Sequence, residues 1–291
     1  MKLGISGQAL GYQKSLEEIL LILKKNEVSN IELWESNFNG GINDDTCILN
    51  IKELLRQYDI NAVCVSMDWA FNKEKSDDIK GYSEMLKRTV EVANELGAKL
   101  VNHYCYYLAL SENFDLSRLM QYYEGAIKKA EELGVYLALE NEAHDATRTP
   151  MGTLKILNAV NSKYFKTNYD ATNYYHGSCE GFPYAYEVLK EHIVYVHIKN
   201  GIIFNQNAKY LKESIGTPMS GANEGNLFYY PTIANGAVNI HGLLLRLKND
   251  GYEGFCTLEP HTSTELVEMY YEEEVKYVKS LGLLIGNCEM W

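Results

Sequence analysis

Short apolar runs alternate with longer helical segments eight times along the chain, and this alternation restricts the fold more than any other feature. The predicted strands are Leu3–Gly7, Asn30–Ser36, Ala62–Asp68, Lys99–Cys105, Val135–Asn141, Phe165–Ala171, Ile193–Lys199 and Gly254–His261. Helical periodicity covers the intervening segments Leu16–Lys25, Ile51–Tyr58, Ser83–Leu96, Leu116–Leu133 and Thr264–Leu281. Strands separated by helices run parallel, because each crossover returns the chain to the same end of the sheet.

Eight such units predict an α/β fold of the closed type, a (β/α)8 TIM barrel, rather than an open doubly wound sheet. An open sheet of that kind often carries a glycine-rich dinucleotide loop after its first strand. The segment Ile5–Gly11 matches such a loop poorly. Because a barrel of about 250 residues commonly forms one unit, we expect a single domain over residues 1–291.

The segment from Asn200 to Gly236 interrupts the alternation. It is rich in Asn, Gly, Ser and Tyr, and it falls between the seventh and eighth predicted strands. Loops at that end of a barrel build the active site, and a long loop in a compact domain is usually either functional or disordered. We favour a long loop that covers a substrate over a disordered insertion.

The net charge of −12 argues against a nucleic-acid partner, since binding to phosphates requires clustered Lys and Arg. No run of about 18 apolar residues predicts a transmembrane helix, so we expect no membrane association. The segment Met1–Gly7 lacks the charged-then-apolar arrangement of a signal peptide and is typical of a first strand. These features predict a cytoplasmic protein.

Four strands in the second half of the chain each carry one carboxylate or imidazole near the carboxyl end. These residues are Glu140, Asp170, His197 and Glu259. Taken singly, each has an ordinary explanation: a helix cap, an ion pair, a core histidine or a turn. Together they converge, because all strands of a parallel barrel end at the same rim.

Three converging carboxylates repel one another unless a cation lies between them, and buried charges are normally paired or bound to metal. An oxygen-rich set with one imidazole suits Mn²⁺, Mg²⁺ or Co²⁺, and Zn²⁺ is a further candidate. The sequence therefore predicts one divalent metal ion held by these four side chains.

The strand endings resemble those of the xylose isomerase-like barrel superfamily. The resemblance rests on Leu139-Glu140-Asn141, on Asp170 followed by Asn173, on Val196–Lys199 and on Gly251–Pro260. It extends over essentially the whole chain. The superfamily includes sugar isomerases, ketose 3-epimerases, an inosose dehydratase and apurinic-site endonucleases, so the resemblance implies the barrel and the metal more strongly than any one substrate.

In the ketose epimerase branch, the residues that match Glu140 and Glu259 serve both as ligands and as acid and base on opposite faces of the substrate. The resemblance therefore implies catalytic roles for these two glutamates. The chain departs from that branch at Asn173, where the epimerases have a histidine, and at Lys199, where an arginine follows the strand-seven histidine. Asn173 can bind a hydroxyl group. Lys199 either binds a substrate oxyanion or pairs with a neighbouring carboxylate.

Other rim residues are candidate substrate contacts. His103 closes the fourth predicted strand, and Trp34 and Glu35 close the second. We predict a substrate contact for each, with a packed or solvated rim residue as the alternative; Asp68 and Trp69 close the third strand in the same way. In the loops beyond the metal-bearing strands lie His144, Arg148, His176 and His261. We expect them to be solvated, with contact to a polar substrate tail as the alternative for His176 and Arg148.

The leading functional prediction is a metal-dependent isomerase or epimerase of a small sugar or sugar-derived ketone, with or without a phosphate group. It would remove a proton beside a metal-bound carbonyl and pass through an enediolate. The alternatives are an inosose-type dehydratase and a non-catalytic sugar-binding barrel. A three-zinc repair nuclease is disfavoured by Asn173 and by the negative charge. The expected partner is a small carbohydrate; association into a homo-oligomer is compatible with the fold, although the sequence reveals no interface.

Overall fold

A computed structural model describes residues 1–11, 13–67, 78–105, 115–204, 217–218, 223, 225–263 and 265–284. Eight parallel strands close into a barrel: β1 (Lys2–Ser6), β2 (Asn30–Leu33), β3 (Asn61–Ser66), β4 (Leu100–His103), β5 (Tyr136–Glu140), β6 (Phe165–Asp170), β7 (Ile193–Ile198) and, after an insertion described below, β11 (Phe255–Leu258). The last strand pairs with the first, with Leu3 opposite Cys256. The predicted TIM barrel is confirmed as a single barrel domain. Each predicted strand includes between one and four residues that lie outside the observed strand.

Helices lie between the barrel strands and cover their outer side. They are α1 (Gln8–Gly11), α2 (Leu16–Lys25), α3 (Asp45–Tyr58), α4 (Ile79–Glu95), α5 (Leu116–Leu133), α6 (Pro150–Val160), α7 (Ala171–His176), α8 (Tyr186–Leu189), α9 (Ile240–Asn249) and α10 (Val267–Ser280). Within these described ranges, none is both long and apolar enough to cross a membrane.

Local capping explains where several helices begin and end. Ser15 and Glu18 form a reciprocal capping box at the start of α2, and that helix has the predicted bounds. Helix α3 begins six residues before the predicted segment, because the Asp44 carboxylate accepts hydrogen bonds from the backbone N–H groups of Thr46 and Cys47. Gly134 ends α5 with φ of 64°, a left-handed conformation that favours glycine.

The insertion between β7 and β11 contains a small antiparallel sheet. Its central strand β10 (Leu227–Tyr229) pairs with β8 (Ile202–Phe204) on one side and β9 (Thr217–Pro218) on the other. Phe228 and the following Tyr230 are buried and pack together in a separate cluster. The predicted long loop is thus confirmed in position and is partly built of strands; residues 205–216, 219–222 and 224 lie outside the described residues.

Alternate residues of the central strands face the barrel interior. Leu100, Ala138 and Tyr195 belong to a small apolar cluster that is separate from the main core. Each lies two residues before a polar side chain of the site described next, and residues two apart in a strand share a face. The barrel interior is therefore apolar toward the amino end of the strands and polar at their carboxyl end.

Candidate metal centre

The four predicted ligands meet at the carboxyl end of the barrel. Glu140 and Asp170 are the last residues of β5 and β6, His197 lies near the end of β7, and Glu259 directly follows β11. Each can offer one ligand atom such that all four atoms lie within 4.8 Å of one another. All four side chains are almost completely buried. Three carboxylate oxygens and one imidazole nitrogen in this arrangement suit a divalent ion, which would lie about 2.0–2.2 Å from each ligand atom.

Both ring nitrogens of His197 face carboxylates. Nδ1 lies 3.0 Å from Glu140 Oε1 and 3.4 Å from Glu259 Oε2. Nε2 lies 2.9 Å from Oε2 of the buried Glu32, and the Ser66 hydroxyl donates a hydrogen bond of 2.5 Å to the other oxygen of Glu32. Because Glu32 accepts the Nε2 proton, Nδ1 is the nitrogen directed at the other ligand candidates.

Glu32 is a site residue that the sequence prediction missed. It lies in β2 between Ile31 and Leu33 and therefore has the same signal as the four ligands, a single carboxylate within an apolar strand. The prediction of Glu35 follows from a predicted second strand that is longer than the observed one.

Glu140 is held in place by amides. Asn102 in β4 donates to Glu140 Oε2 at 2.8 Å, and Asn173 in α7 donates to Oε1 at 3.3 Å. Asn168 Nδ2 in turn donates to the side-chain oxygen Oδ1 of Asn102 at 3.0 Å. These bonds fix the carboxylate without adding charge. Asn173 thus lies beside the cluster, at the position where the sequence led us to expect a hydroxyl-binding group.

Asp170 has a structural role as well as its place in the cluster. Its Oδ1 accepts hydrogen bonds from the backbone N–H groups of Thr172 (2.7 Å) and Asn173 (2.8 Å), which caps α7. The side chain of Asn141 bonds both the backbone N–H and the carbonyl oxygen of Asp170. One oxygen of Asp170 therefore starts a helix, and Oδ2 is left facing the cluster.

Lys199 occupies the centre of the carboxylates. Its Nζ lies 2.8 Å from Asp170 Oδ2, 2.5 Å from Glu259 Oε2 and 4.0 Å from Glu140 Oε1. The residue is only 2% exposed. Of the two roles considered from the sequence, the one seen here is pairing with neighbouring carboxylates.

Charge pairing determines the ionisation of the cluster. Burial alone would lower the pKa of His197, but the negative charges of Glu140, Glu32 and Glu259 raise this pKa well above its ordinary value. Burial would likewise raise the pKa of Glu259, yet the positive charges of Lys199 and His197 hold it well below its usual range. For Asp170, burial is the largest effect and raises the pKa, with Lys199 acting in the opposite direction. Glu259 is therefore ionised and His197 protonated before a metal binds.

The other predicted substrate contacts are placed differently. Trp34 is buried with its ring 6.3 Å from that of Tyr104, whose hydroxyl accepts a hydrogen bond from Asn102. Glu35 is exposed and lines a small cleft that also includes Ser66. His103 is not brought to the cluster: adjacent side chains of a strand face opposite ways, so Asn102 faces the interior and His103 packs outside the barrel.

Tyrosine and histidine rings lie beside the cluster. Tyr230, which follows β10, lies 3.1 Å through its hydroxyl from His176 Nδ1, and its ring is 4.8 Å from that of His261. His176 stacks on Phe228 at 4.5 Å. His261 Nε2 lies 3.4 Å from Glu259 Oε2.

The expectation that His176 is solvated is therefore wrong, because the insertion covers it. His144 lies edge-on to His176 at 5.0 Å, and Arg148 ends a short 3₁₀ turn. Asp68 and Trp69 lie outside the described residues.

Sequence comparison identifies the family of the chain. Residues 22–283 match the profile of the family described as Xylose isomerase-like TIM barrel. The chain belongs to the xylose isomerase-like TIM barrel family. The resemblance inferred from the strand endings is thus confirmed. A search of curated proteins finds no matching relative.

Solved structures of other xylose isomerase-like proteins have the same fold. The probable 3-DHS dehydratase AsbF from Bacillus anthracis is 17% identical with a TM-score of 0.67, covering 96% of this chain and 99% of that one. A D-tagatose 3-epimerase-like protein is 20% identical with a TM-score of 0.64, covering 96% and 100%. The IOLI protein with a bound zinc atom is 18% identical with a TM-score of 0.67, covering 97% and 96%. At these identities the similarity establishes the fold alone.

Proposed function

We propose that this member of the xylose isomerase-like family is a divalent-metal-dependent isomerase or epimerase of a small sugar or sugar-derived ketone. The observation that carries the proposal is the convergence of Glu140, Asp170, His197 and Glu259, with one ligand atom from each within 4.8 Å of the others. When bound there, a divalent ion would polarise a substrate carbonyl and stabilise the enediolate that follows loss of a neighbouring proton.

Glu140 and Glu259 are the proposed proton carriers. Both carboxylates lie close to His197 Nδ1, at 3.0 and 3.4 Å, so both are near the place where a reacting carbon would bind. In the metal-free protein Lys199 and His197 hold the pKa of Glu259 low; a bound ion would replace these cations, and the ionised carboxylate can accept the proton. Glu140 is the second carboxylate and would return a proton to the opposite face or to the adjacent carbon.

Neutral and aromatic groups around the cluster are the proposed substrate contacts. Asn173 can donate to a hydroxyl group, and Lys199 can bind an oxyanion when it is not paired with carboxylates. Trp34 and Tyr104 offer an apolar wall, and Glu35 lies in the adjoining cleft. His103 does not enter the proposal, because it lies among the rings of Tyr123 and Phe165. The proposal of a small carbohydrate substrate is supported by these contacts and by membership of the family.

A dehydratase is the second candidate, and one specific contact favours it. The Lys199 ammonium lies 2.5 Å from Glu259, so a cationic proton donor stands beside the carboxylate that would take the first proton. A donor in this position can protonate a departing hydroxide. The neighbouring structures include both an epimerase-like protein and a probable dehydratase.

The two reactions can be separated by one experiment. Metal-free protein loaded with Mn²⁺ is incubated in D₂O with a panel of ketoses, inososes and their phosphates, and the products are followed by proton NMR and mass spectrometry. An isomerase or epimerase incorporates deuterium beside the carbonyl with no loss of water, whereas a dehydratase yields a product lighter by one water.

Glu259→Gln and Glu140→Gln are the matched variants for this assay, since each keeps the shape of the side chain and removes its basicity. We expect each to lower the exchange rate by at least about 10²-fold, the size of a general acid–base contribution. Full activity of Glu259→Gln would overturn its assignment as a proton carrier. Metal binding with no turnover across the panel would favour the non-catalytic sugar-binding barrel.

A further inference from the structure

We propose that the Lys199 ammonium is the protein's own occupant of the metal position: it neutralises Asp170 and Glu259 in the metal-free protein and withdraws when a divalent ion binds. This inference rests on the metal site of the proposed function. It adds a competition between a side chain and the ion for the same oxygens, and this competition sets the affinity for the metal.

The distances place the ammonium where the ion would bind. Nζ lies 2.8 Å from Asp170 Oδ2 and 2.5 Å from Glu259 Oε2. Those two residues are among the four whose ligand atoms form the candidate metal site. A divalent ion about 2.0–2.2 Å from the same oxygens would lie within a few ångströms of Nζ if the lysine stayed in place. Two cations so close in a buried site repel strongly.

The side chain can move while its backbone stays fixed. Thr172 Oγ1 donates a hydrogen bond of 2.8 Å to the Lys199 carbonyl oxygen, which anchors the chain just after β7. The four-carbon stem of lysine has several rotatable bonds, and its ammonium is a point charge without a required orientation. Metal binding therefore requires only a change of side-chain conformation.

Alternative partners for the displaced amine lie on the rim side of the cluster. Glu142 follows β5 by two residues, is only partly buried, and lies within electrostatic range of Lys199. Tyr230 in the covering insertion is also within that range. Withdrawal toward these groups would bring the ammonium to the mouth of the site, where it can bind a substrate oxygen. The metal would thus switch Lys199 from a counter-ion into a substrate contact.

The inference is tested by metal affinity and by the stability of the metal-free protein. The full chain is freed of metal with EDTA, and Mn²⁺ binding is measured by isothermal titration calorimetry for wild type, Lys199→Met and Lys199→Gln. Lys190→Met is the matched control, because Lys190 pairs with Glu187 at the surface, 3.1 Å away. We expect both Lys199 variants to bind Mn²⁺ at least about tenfold more tightly, since a competing charge has been removed.

The metal-free variants should also be less stable, because three buried carboxylates lose a cation. We expect Tm to fall by about 5 °C or more without metal and to recover with Mn²⁺, with the control unchanged. A Lys199→Met protein that folds only when Mn²⁺ is present supports the inference in the same way.

Equal or weaker Mn²⁺ binding by both Lys199 variants would overturn the inference and would show that the lysine helps to hold the ligands in place. If the wild-type protein binds no divalent ion, the proposed function fails separately. In that case, an unchanged Tm of metal-free Lys199→Met would also exclude Lys199 as the resident cation.

Discussion

At the scale of single residues, Glu32 controls which nitrogen of His197 is presented to a metal. Its carboxylate lies 2.9 Å from Nε2 and is itself held by Ser66. A carboxylate that accepts the distal N–H of a ligating histidine fixes the tautomer and increases the basicity of the other nitrogen. Glu32 would therefore be a positioning residue, which acts on a bound ion through His197.

Glu32→Gln should weaken Mn²⁺ binding by about 10- to 100-fold, because the amide still fills the space but carries no charge. Glu35→Gln is the matched control, since that neighbouring carboxylate is exposed, and its Mn²⁺ affinity should equal that of wild type. Titration calorimetry gives the affinities, and ¹⁵N NMR of His197 reports whether the Nε2 proton is retained. Wild-type affinity in Glu32→Gln would exclude this positioning role.

His103 makes stability depend on pH. Burial lowers the pKa of His103 from 6.5 to about 3. In the unfolded chain this histidine takes up a proton near pH 6.5, while in the folded protein it stays neutral until about pH 3. The unfolded state thus binds more protons between these values, and stability falls as the pH falls below 6.5.

His103→Phe should remove this loss, about 1.4 kcal/mol per pH unit below 6.5. A phenyl ring suits the site, because His103 packs against Tyr123 and Phe165. Tyr82 keeps a partner in the variant, as its hydroxyl donates to the Tyr104 carbonyl oxygen at 2.6 Å. Chemical denaturation at pH 7 and pH 5 measures the change in the free energy of unfolding. The control is His241→Phe, because His241 is exposed. If His103→Phe and wild type lose the same stability between these pH values, the prediction is contradicted.

Site residues could be predicted from the sequence where a single polar residue interrupts an apolar strand. They could not be predicted where the result depends on whether a side chain faces the barrel interior or its outer side. Glu140, Asp170, His197 and Glu259 could be grouped because every strand ends at one rim. His103 was expected at that rim, but Asn102 faces it instead, since an error of one residue in a strand reverses its face. The position of the Lys199 ammonium depends on closure of the barrel and on the rotamer of the lysine side chain, and neither can be predicted from a local sequence pattern.

At the scale of elements, Asp170 joins strand, helix and site. It ends β6, caps α7 through Oδ1 and faces Lys199 through Oδ2. The cap holds α7 in place, and α7 carries Asn173, which contacts Glu140. The start of one short helix thus helps to define the cluster.

Substitutions at Asp170 should separate these two roles. Asp170→Asn keeps an oxygen for the cap and loses the charge, so we expect Mn²⁺ affinity to fall at least about tenfold. Asp170→Ala loses the cap as well and should be less stable than Asp170→Asn by about 1 kcal/mol. Calorimetry and thermal denaturation in EDTA measure the two effects.

The same pair of substitutions at Asp44, which caps α3 and is not one of the four candidate ligands, provides the control. There we expect the stability difference between Ala and Asn without any change in Mn²⁺ affinity. Equal stability of Asp170→Asn and Asp170→Ala would show that the cap contributes nothing.

Element bounds could be predicted best where capping and periodicity agreed, as for α2 and α5. Helix α3 was predicted too short: the buried Cys47 and Ile48 extend the apolar spacing of Ile51 and Leu55 toward the amino end, and the Asp44 cap sets where the helix begins. The strands of the Asn200–Gly236 insertion could not be predicted, since β10 gains its partners β8 and β9 only through non-local pairing.

At the scale of the whole molecule, a bound ion would link strands that are distant in sequence. β5, β6, β7 and the segment after β11 would share one ion, and this arrangement does not exist in the unfolded chain. A ligand that binds only the native state stabilises it by about 2.7 kcal/mol at a concentration 100 times its Kd.

Saturating Mn²⁺ should therefore raise the Tm of the metal-free protein by about 5–10 °C. A scanning fluorimetry titration with Mn²⁺, reversed by EDTA, measures the shift. The Glu140→Gln/Asp170→Asn double variant should show little of it. An equal shift in that variant would place the stabilising ion elsewhere on the protein.

The candidate ligands all lie in the second half of the barrel, whereas several of the groups that position them lie in the first. Glu140, Asp170, His197 and Glu259 follow the fourth strand in the sequence, whereas Glu32, Ser66 and Asn102 precede the fifth. The coordinating side chains are thus encoded in the second half of the chain, and part of their positioning is encoded in the first. Substitutions confined to the first four strands can therefore change metal preference while every coordinating atom is retained. A hybrid barrel that combines the halves of two relatives would take its ligands from one relative, whereas its metal affinity would depend on both.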